Sequence, residues 1–147
     1  MSHTYFKIWI HAVWSTKDRQ PFLHRSIRTD VFHHIKEKSE EKDIHLDMIN
    51  GIDDHVHCLI SLNPKYAFSD VVNALKGESS HWINSQDLLR LKFAWQPGYS
   101  AFSVSESLIQ KVRNYILKQE EHHRKMSYAE ELQELLKLHN LVVSQQC

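Results

Sequence analysis

The sequence predicts an α+β protein in which helices pack on one face of an antiparallel sheet. Segments with strand and helix periodicity follow one another in the order strand, helix, strand, strand, helix, strand, which is typical of this class. The two middle strands are separated by a short turn at residues 51–54, which favours antiparallel pairing. A chain of 147 residues with 41% hydrophobic residues has the size of one soluble domain, predicted to span residues 1–147.

The first half of the chain supplies the first three strands and two helices. Residues 5–14 alternate in polarity and are rich in β-branched and aromatic side chains, so they predict a strand. Residues 26–42 place apolar side chains near helical spacing and predict a helix. Strands are predicted at residues 44–50 and 55–62, and we expect this pair to lie in the centre of the sheet. Ser69 is a suitable N-cap for the next helix.

The second half of the chain is predicted to form a hairpin and two further helices. A Pro-Gly pair separates residues 93–96 from residues 99–104 and fits the central positions of a type II turn, which predicts the hairpin. Capping-box patterns begin at Ser103 and Ser127. The first opens a long helix that carries Tyr115, and the second opens a final amphipathic helix.

Two histidines one alternation apart form the first candidate site. Side chains on a strand point alternately to opposite faces, so His55 and His57 share one face, roughly 6–7 Å apart at Cβ. Two imidazoles at that spacing can bind one cation, although two rarely hold a catalytic metal alone. The chain has 12 histidines, so the spacing alone favours an ordinary pair of histidines on a half-solvated strand face.

A second pair lies on the helix predicted around Tyr115. Tyr115 and Gln119 are four residues apart, so they share one face of a continuous helix. A phenol can act as a nucleophile, and an amide oxygen is a neutral hard metal ligand. A tyrosine on a helix is more often a core or interface residue, so neither residue indicates chemistry alone.

Together, these residues resemble a known family. With its His-hydrophobic-His motif at His55 and His57 and its downstream Tyr115, the chain resembles the single-tyrosine (HUH) transposases of the insertion-sequence 200/605 type, including the REP-associated tyrosine transposases. The order and spacing of several blocks carry this resemblance: YFKIWIHAVWSTKDRQPFL, GIDDHVHCLISL, SDVVNALKGESSHWI, FAWQPGYSAFSVS and VRNYILKQEEHHRKMSYAEEL.

The resemblance implies a fold, a chemistry and partners. The fold is a ferredoxin-like, RRM-like antiparallel sheet with an added C-terminal tyrosine-bearing helix. Tyr115 is the expected catalytic nucleophile, and His55, His57 and Gln119 are the expected ligands of Mg²⁺ or Mn²⁺. The implied reaction is cleavage and strand transfer of single-stranded DNA with hairpin ends through a 5′-phosphotyrosine. The implied assembly is a homodimer with composite active sites, in which the tyrosine helix of one subunit meets the histidines of the other.

Other residues are candidates for supporting roles. Asp54 precedes the first site histidine, so it could orient that imidazole or bind the metal itself, and a plain turn aspartate is an equal alternative. Lys76, Lys111 and Arg113 are candidate phosphate contacts, for which a solvated helix face is the alternative. We expect the histidines that follow Gln119, His122 and His123, to be exposed helix residues, and contact with a metal or a phosphate is the alternative.

Charge and cysteine content constrain the function classes. Eighteen basic and 18 acidic residues cancel, whereas a nucleic-acid binder usually has a basic excess. The acids concentrate at residues 37–54 and 120–134, which leaves basic side chains elsewhere for a DNA surface. No apolar run is long enough for a membrane span, and the two cysteines, Cys58 and Cys147, do not indicate a disulfide framework. We therefore expect a cytoplasmic protein with no membrane partner.

Three functions compete. The leading one is the metal-dependent transposase, and the alternative is a domesticated relative that binds DNA hairpins without cutting them. A metalloprotein unrelated to nucleic acid would need only the strand histidines and does not account for the downstream blocks.

Overall fold

A four-stranded antiparallel sheet forms the centre of the protein, for which a computed structural model describes residues 3–141. The strands are β1 (Trp9–Ser15), β2 (His45–Ile52), β3 (His55–Ser61) and β4 (Ser100–Val104). Their order across the sheet is β2-β3-β1-β4, with every neighbouring pair antiparallel. This is the ferredoxin-like arrangement, and it confirms the predicted fold class. The predicted β2–β3 ladder is present, but β2 lies at an edge rather than in the centre.

Helices cover both faces of the sheet. They are α1 (Arg25–Glu41), α2 (Phe68–Ser85), α3 (Ile109–Leu117), α4 (Gln119–His122) and α5 (Tyr128–Leu138), with short 3₁₀ turns at Lys17–Arg19 and Glu106–Leu108. The two helices from the first half of the chain pack on one face, as predicted. The three C-terminal helices pack on the opposite face and form the addition to the ferredoxin-like core.

Strand alternation explains why two separate cores form. On β3, Val56, Cys58 and Ile60 point into the core under α1 and α2. His55, His57 and Leu59 point to the face that α3 and α5 cover, and Leu59 packs there with residues of α3. The larger core anchors the strand, which leaves the face carrying the histidines available for a site.

The predicted hairpin does not form. Residues 93–96 contribute only an isolated bridge between Trp95 and Thr16, while β4 pairs along β1. Phe93 and Trp95 are buried in the core under α2, and this burial, rather than a local ladder, fixes the segment. Gly98 has a φ of 88°, the left-handed value that the predicted turn requires at that position.

Two of the predicted helix caps are wrong and one is correct. Ser69 lies inside the first turn of α2, whose N-cap is Ala67. Ser103 lies in β4 and caps no helix. Ser127 forms the complete capping box with Glu130 at the start of α5.

The long helix predicted around Tyr115 is interrupted. α3 ends at Leu117, and α4 begins at Gln119 after a break at Lys118. The Asn50 side-chain amide, from β2, donates hydrogen bonds to the carbonyls of Ile116 (2.9 Å) and Leu117 (3.1 Å). Because the last carbonyls of a helix need partners outside it, this amide stabilises the end of α3.

Two remaining predictions concern membrane-spanning helices and cysteines. Within residues 3–141, no helix has the length and hydrophobicity needed to cross a membrane. Cys58 is a buried free cysteine, and Cys147 lies outside the described residues.

Candidate metal and tyrosine site

The two strand histidines share one sheet face, as strand alternation predicts. In the β1–β3 register, Val13 lies opposite His57 and Ser15 lies opposite His55, so these four side chains point the same way. Both imidazoles are fully buried, with exposed fractions of 0%. Burial on this scale requires hydrogen-bond partners for the ring nitrogens.

Glu131, on α5, supplies a shared partner for those rings. One carboxylate oxygen, Oε1, lies 2.9 Å from Nε2 of His57, 3.0 Å from Nε2 of His123 and 3.2 Å from Nε2 of His55. The candidate metal-binding atoms of these four residues all lie within 4.8 Å of one another. They form a group of three imidazoles and one carboxylate that could hold a metal ion.

Each of the three histidines has a second partner at its other ring nitrogen. Nδ1 of His55 lies 2.8 Å from Oδ1 of Asp54, and Nδ1 of His123 lies 2.8 Å from the carbonyl oxygen of Met126. Nδ1 of His57 lies 2.8 Å from Nε2 of His11, a buried residue of β1. These contacts fix the orientation of all three rings.

Tyr115 and Gln119 contact the same carboxylate. The hydroxyl of Tyr115 donates a hydrogen bond to Oε2 of Glu131, and Nε2 of Gln119 donates to the same oxygen at 3.2 Å. Oε1 of Gln119 lies 3.2 Å from Nε2 of His55. The structure therefore brings Tyr115, Gln119 and both strand histidines together within one chain, across the break between α3 and α4.

Burial and hydrogen bonds between these groups shift their pKa values. Burial, and then the hydrogen bond with Glu131, raise the pKa of Tyr115, so its hydroxyl stays protonated at neutral pH. Burial alone would raise the pKa of Glu131, but hydrogen bonds from His123, His55 and His57 hold it below its usual range. Glu131 is therefore a carboxylate at neutral pH.

Burial acts differently on the histidines. It lowers the pKa of His57 to about 4, only partly offset by Glu131. Burial, together with the neighbouring His57, lowers the pKa of His11 to about 3. For His55, burial is outweighed by hydrogen bonds to Asp54 and Glu131, and its pKa is raised.

The sequence reasoning missed Glu131, although a signal was present. Tyr128, Glu131, Leu132 and Leu135 follow the i, i+3, i+4, i+7 pattern of the inner face of a helix. The three apolar members pack on the sheet face, and the ring of Tyr128 stacks on His55 with centroids 4.5 Å apart. An acidic residue on such a stripe is buried, and its carboxylate needs partners.

The expectation that His122 and His123 are exposed is wrong. The side chain of His123 is only 4% exposed, because it lies against Glu131 at the end of α4. His122 is half-buried, and its ring stacks on Tyr115 with centroids 4.6 Å apart.

The three candidate DNA-binding residues lie in different settings. The Lys76 ammonium donates to the carbonyls of Gln96 (2.7 Å) and Gly98 (2.8 Å). The guanidinium of Arg113 makes a two-pronged ion pair with Asp47, at 2.8 and 2.9 Å. Lys111 is exposed on α3 and makes no ion pair within residues 3–141. A role in DNA binding stays a prediction for all three.

The sheet, the buried histidine pair and the facing tyrosine define a protein of the transposase class that the sequence resembles. The chain belongs to the IS200-like transposase family, whose sequence profile matches residues 4–119. The match includes His55, His57, Tyr115 and Gln119, and it ends before His123 and Glu131.

Individual relatives agree with this assignment. The ISDra2 transposase TnpA of Deinococcus radiodurans is 26% identical over 76% of this chain and 83% of its own length. The transposase of insertion sequence IS200 from Salmonella typhimurium is 26% identical over 79% of each chain.

Solved structures extend the likeness to the fold. A crystal structure of a candidate transposase from Deinococcus radiodurans R1 has a TM-score of 0.66 and 25% identity, over 81% of this chain and 95% of that one. A REP-associated tyrosine transposase bound to a REP hairpin has a TM-score of 0.60 over 84% of this chain and 73% of that one. At 17% identity, this second likeness concerns the fold alone.

Proposed function

We propose that the chain is a metal-dependent transposase that cuts and rejoins single-stranded DNA through a covalent bond to Tyr115. The observation that carries this proposal is the convergence of three groups on one carboxylate. The Tyr115 hydroxyl and the Nε2 atoms of His55 and His57 all contact Glu131. A nucleophile and metal-binding atoms are thus held at one buried point in a chain of a transposase family.

The proposed reaction is transfer of a phosphoryl group. The Tyr115 oxygen forms a bond to the phosphorus of the scissile phosphodiester, and the bond from phosphorus to the 3′ oxygen breaks. The departing strand leaves with a 3′-OH, to which the phenol proton is finally transferred, and the other strand remains as a 5′-phosphotyrosine. Attack by another 3′-OH on that ester rejoins DNA without an external energy source.

The site residues fit a divalent metal. Imidazole nitrogens and oxygens of carboxylates or amides are common ligands of such ions. By resemblance, His55, His57 and Gln119 would hold Mg²⁺ or Mn²⁺, with Asp54 orienting His55 from outside. A bound cation would polarise the phosphoryl oxygen and neutralise charge that develops in the reaction.

The proposed substrate is single-stranded DNA that carries a hairpin, and the proposed place of action is the cytoplasm. The likeness to a transposase bound to a REP hairpin supports the choice of DNA. The net charge of zero favours recognition of DNA shape over tight non-specific binding. A homodimer remains a prediction, to be tested by light scattering, although one chain already brings Tyr115 to its own histidines.

Covalent capture tests the proposal. The protein is incubated with labelled single-stranded DNA carrying the hairpin ends of its own locus, with and without Mn²⁺. We expect a metal-dependent adduct that survives denaturation and disappears in Tyr115→Phe and with a chelator. Tyr66→Phe is the matched control, because Tyr66 is an exposed residue that precedes α2.

Peptide mapping of the adduct distinguishes the alternatives. An adduct on Tyr128, the other tyrosine beside His55, would mean that Tyr115 is not the nucleophile. Hairpin binding with no adduct under any metal condition would identify the chain as a binding protein that does not cut.

A further inference from the structure

We propose that the metal centre of this chain has the donor set His55, His57, His123 and Glu131, and that it takes a first-row transition ion such as Mn²⁺ or Zn²⁺ in preference to Mg²⁺. The inference rests on the proposed function only for the cation's place beside Tyr115. It replaces Gln119 as a direct ligand with two residues that lie outside the family match, which ends at residue 119.

The distances support a shared coordination centre. Glu131 Oε1 lies 2.9–3.2 Å from the Nε2 atoms of all three histidines. Ligands at about 2.1 Å from an ion, in neighbouring octahedral positions, are separated by about 3.0 Å. The distances from Oε1 to the three nitrogens therefore match the spacing of neighbouring ligands around one ion, and all four atoms lie within 4.8 Å of one another.

The outer partners leave the inner nitrogens free to bind. Met126 offers His123 a carbonyl, and Asp54 offers His55 a carboxylate, so each Nδ1 can donate its proton; a metal ion that replaces the hydrogen bonds to Glu131 would then meet a lone pair at each Nε2. Nε2 of His11 can accept the Nδ1 proton of His57 in the same way. Metal-binding histidines commonly show this arrangement, in which the second nitrogen donates to a fixed acceptor.

A bound cation would balance the negative charge of the Glu131 carboxylate, which faces three buried imidazoles. Lone pairs of neutral imidazoles that face a carboxylate repel it, so these atoms need either protons or a metal ion between them. All four side chains are nearly or fully buried. A divalent ion would satisfy all four donors at once.

The donor chemistry selects the ion. Mg²⁺ prefers oxygen ligands and retains several waters, whereas imidazole nitrogens suit transition ions. Three imidazoles and one carboxylate are therefore a poor site for Mg²⁺. In this arrangement, Gln119 is a positioning residue: its Nε2 donates to the outer oxygen of Glu131, and its Oε1 lies 3.2 Å from Nε2 of His55.

Metal binding without DNA tests the inference. Metal-stripped protein is titrated calorimetrically with MnCl₂, ZnCl₂ and MgCl₂. We expect one Mn²⁺ per chain, with Mg²⁺ binding at least tenfold more weakly. Glu131→Gln and His123→Ala should each weaken Mn²⁺ binding at least tenfold, and Gln119→Ala should weaken it by less than either. Glu134→Gln and His81→Ala, both at exposed positions, are the matched controls.

A spectroscopic measurement separates ligation from a structural effect. Pulsed electron paramagnetic resonance of bound Mn²⁺ reports coupling to imidazole nitrogen, which should decrease in His123→Ala even if affinity is partly retained. Circular dichroism establishes that each variant is folded. If Glu131→Gln does not fold, the Mn²⁺ affinity and the resonance spectrum of His123→Ala still test the inference.

Three results would overturn the inference: equal affinity for Mg²⁺ and Mn²⁺, unchanged Mn²⁺ binding in both Glu131→Gln and His123→Ala, or no binding of any of the three ions. Failure of the proposed function is a different result. In that case, Mn²⁺ binds as expected while covalent capture yields no adduct.

Discussion

The hydroxyl of Tyr115 donates a hydrogen bond to Oε2 of Glu131, a residue 16 positions further along the chain. The other oxygen of that carboxylate lies 2.9 Å from Nε2 of His57, 74 positions away in sequence. One side chain on α5 thus connects the candidate nucleophile to the candidate metal ligands. The correct docking of α5 on the sheet is therefore a condition for the site as it stands.

Asp54 should contribute to metal affinity without touching the ion. Its carboxylate accepts the Nδ1 proton of His55 and fixes the ring with Nε2 inward. Loss of such a partner typically lowers metal affinity about 10- to 100-fold. We expect this loss for Mn²⁺ in Asp54→Ala, measured by calorimetry. Asp30→Ala, at an exposed position on α1, is the control, and equal affinities for the two variants would contradict the prediction.

The metal-free protein should lose stability as pH falls from 6.5 to 4.5. His11 and His57 have pKa values of about 3 and about 4 when folded, against 6.5 when unfolded. In this range, the unfolded chain binds protons at both residues and the folded chain does not, so protons favour unfolding. Each histidine should lower the free energy of unfolding by up to about 1.4 kcal/mol per pH unit.

A variant at position 11 isolates one of these two contributions in urea titrations. His11→Gln keeps a hydrogen-bond acceptor for His57 but does not titrate. We expect the slope of unfolding free energy against pH to fall by about half. A slope identical to that of the unchanged protein would show that His11 is not held neutral by burial.

The capping box at Ser127 should control the local stability of α5. The Ser127 hydroxyl accepts a hydrogen bond from the Glu130 amide, and removing such a cap costs about 1 kcal/mol. Ser127→Ala should therefore speed hydrogen exchange in α5 about fivefold, as measured by mass spectrometry. Ser85→Ala, at the exposed end of α2, should leave α5 unchanged. Unaltered exchange in Ser127→Ala would mean that the cap does not hold this helix.

Lys111 is the candidate DNA contact whose charge is not already engaged within residues 3–141. If it contacts a phosphate, Lys111→Gln should reduce the slope of log binding constant against log salt by about 1. Fluorescence anisotropy with the hairpin substrate at several salt concentrations measures this slope. Lys42→Gln, at the C-cap of α1 on the other side of the sheet, should leave it unchanged. Equal slopes in the two variants would remove Lys111 from the DNA surface.

Local patterns predicted those parts of the structure that depend on neighbouring residues. Alternation placed His55 and His57 on one face and the apolar residues of β3 on the other. The capping box at Ser127 could be predicted from Ser127 and Glu130, the residue three positions later. Both patterns are enforced by backbone geometry within a few residues, so the sequence reveals them directly.

Local sequence patterns did not predict the contacts between residues that are distant in the chain. The interruption between Tyr115 and Gln119 involves the amide of Asn50, which lies on a different element. Arg113 is engaged by Asp47, 66 positions away. Glu131 reaches His57 only because α5 docks on that sheet face. Such pairings depend on how elements pack, which short-range periodicity does not encode.

The boundary of the family match divides the candidate site into a shared part and an added part. The strand histidines, Tyr115 and Gln119 lie in the matched segment, whereas His123 and Glu131 lie beyond it. If the donor set is as inferred, the nucleophile and two of the four donors lie in the matched segment, and the other two donors lie beyond it. Changes confined to residues 120–138 could then retune which ion the protein uses while its strand histidines and tyrosine stay the same. The choice of cofactor would depend on the end of α4 and on α5.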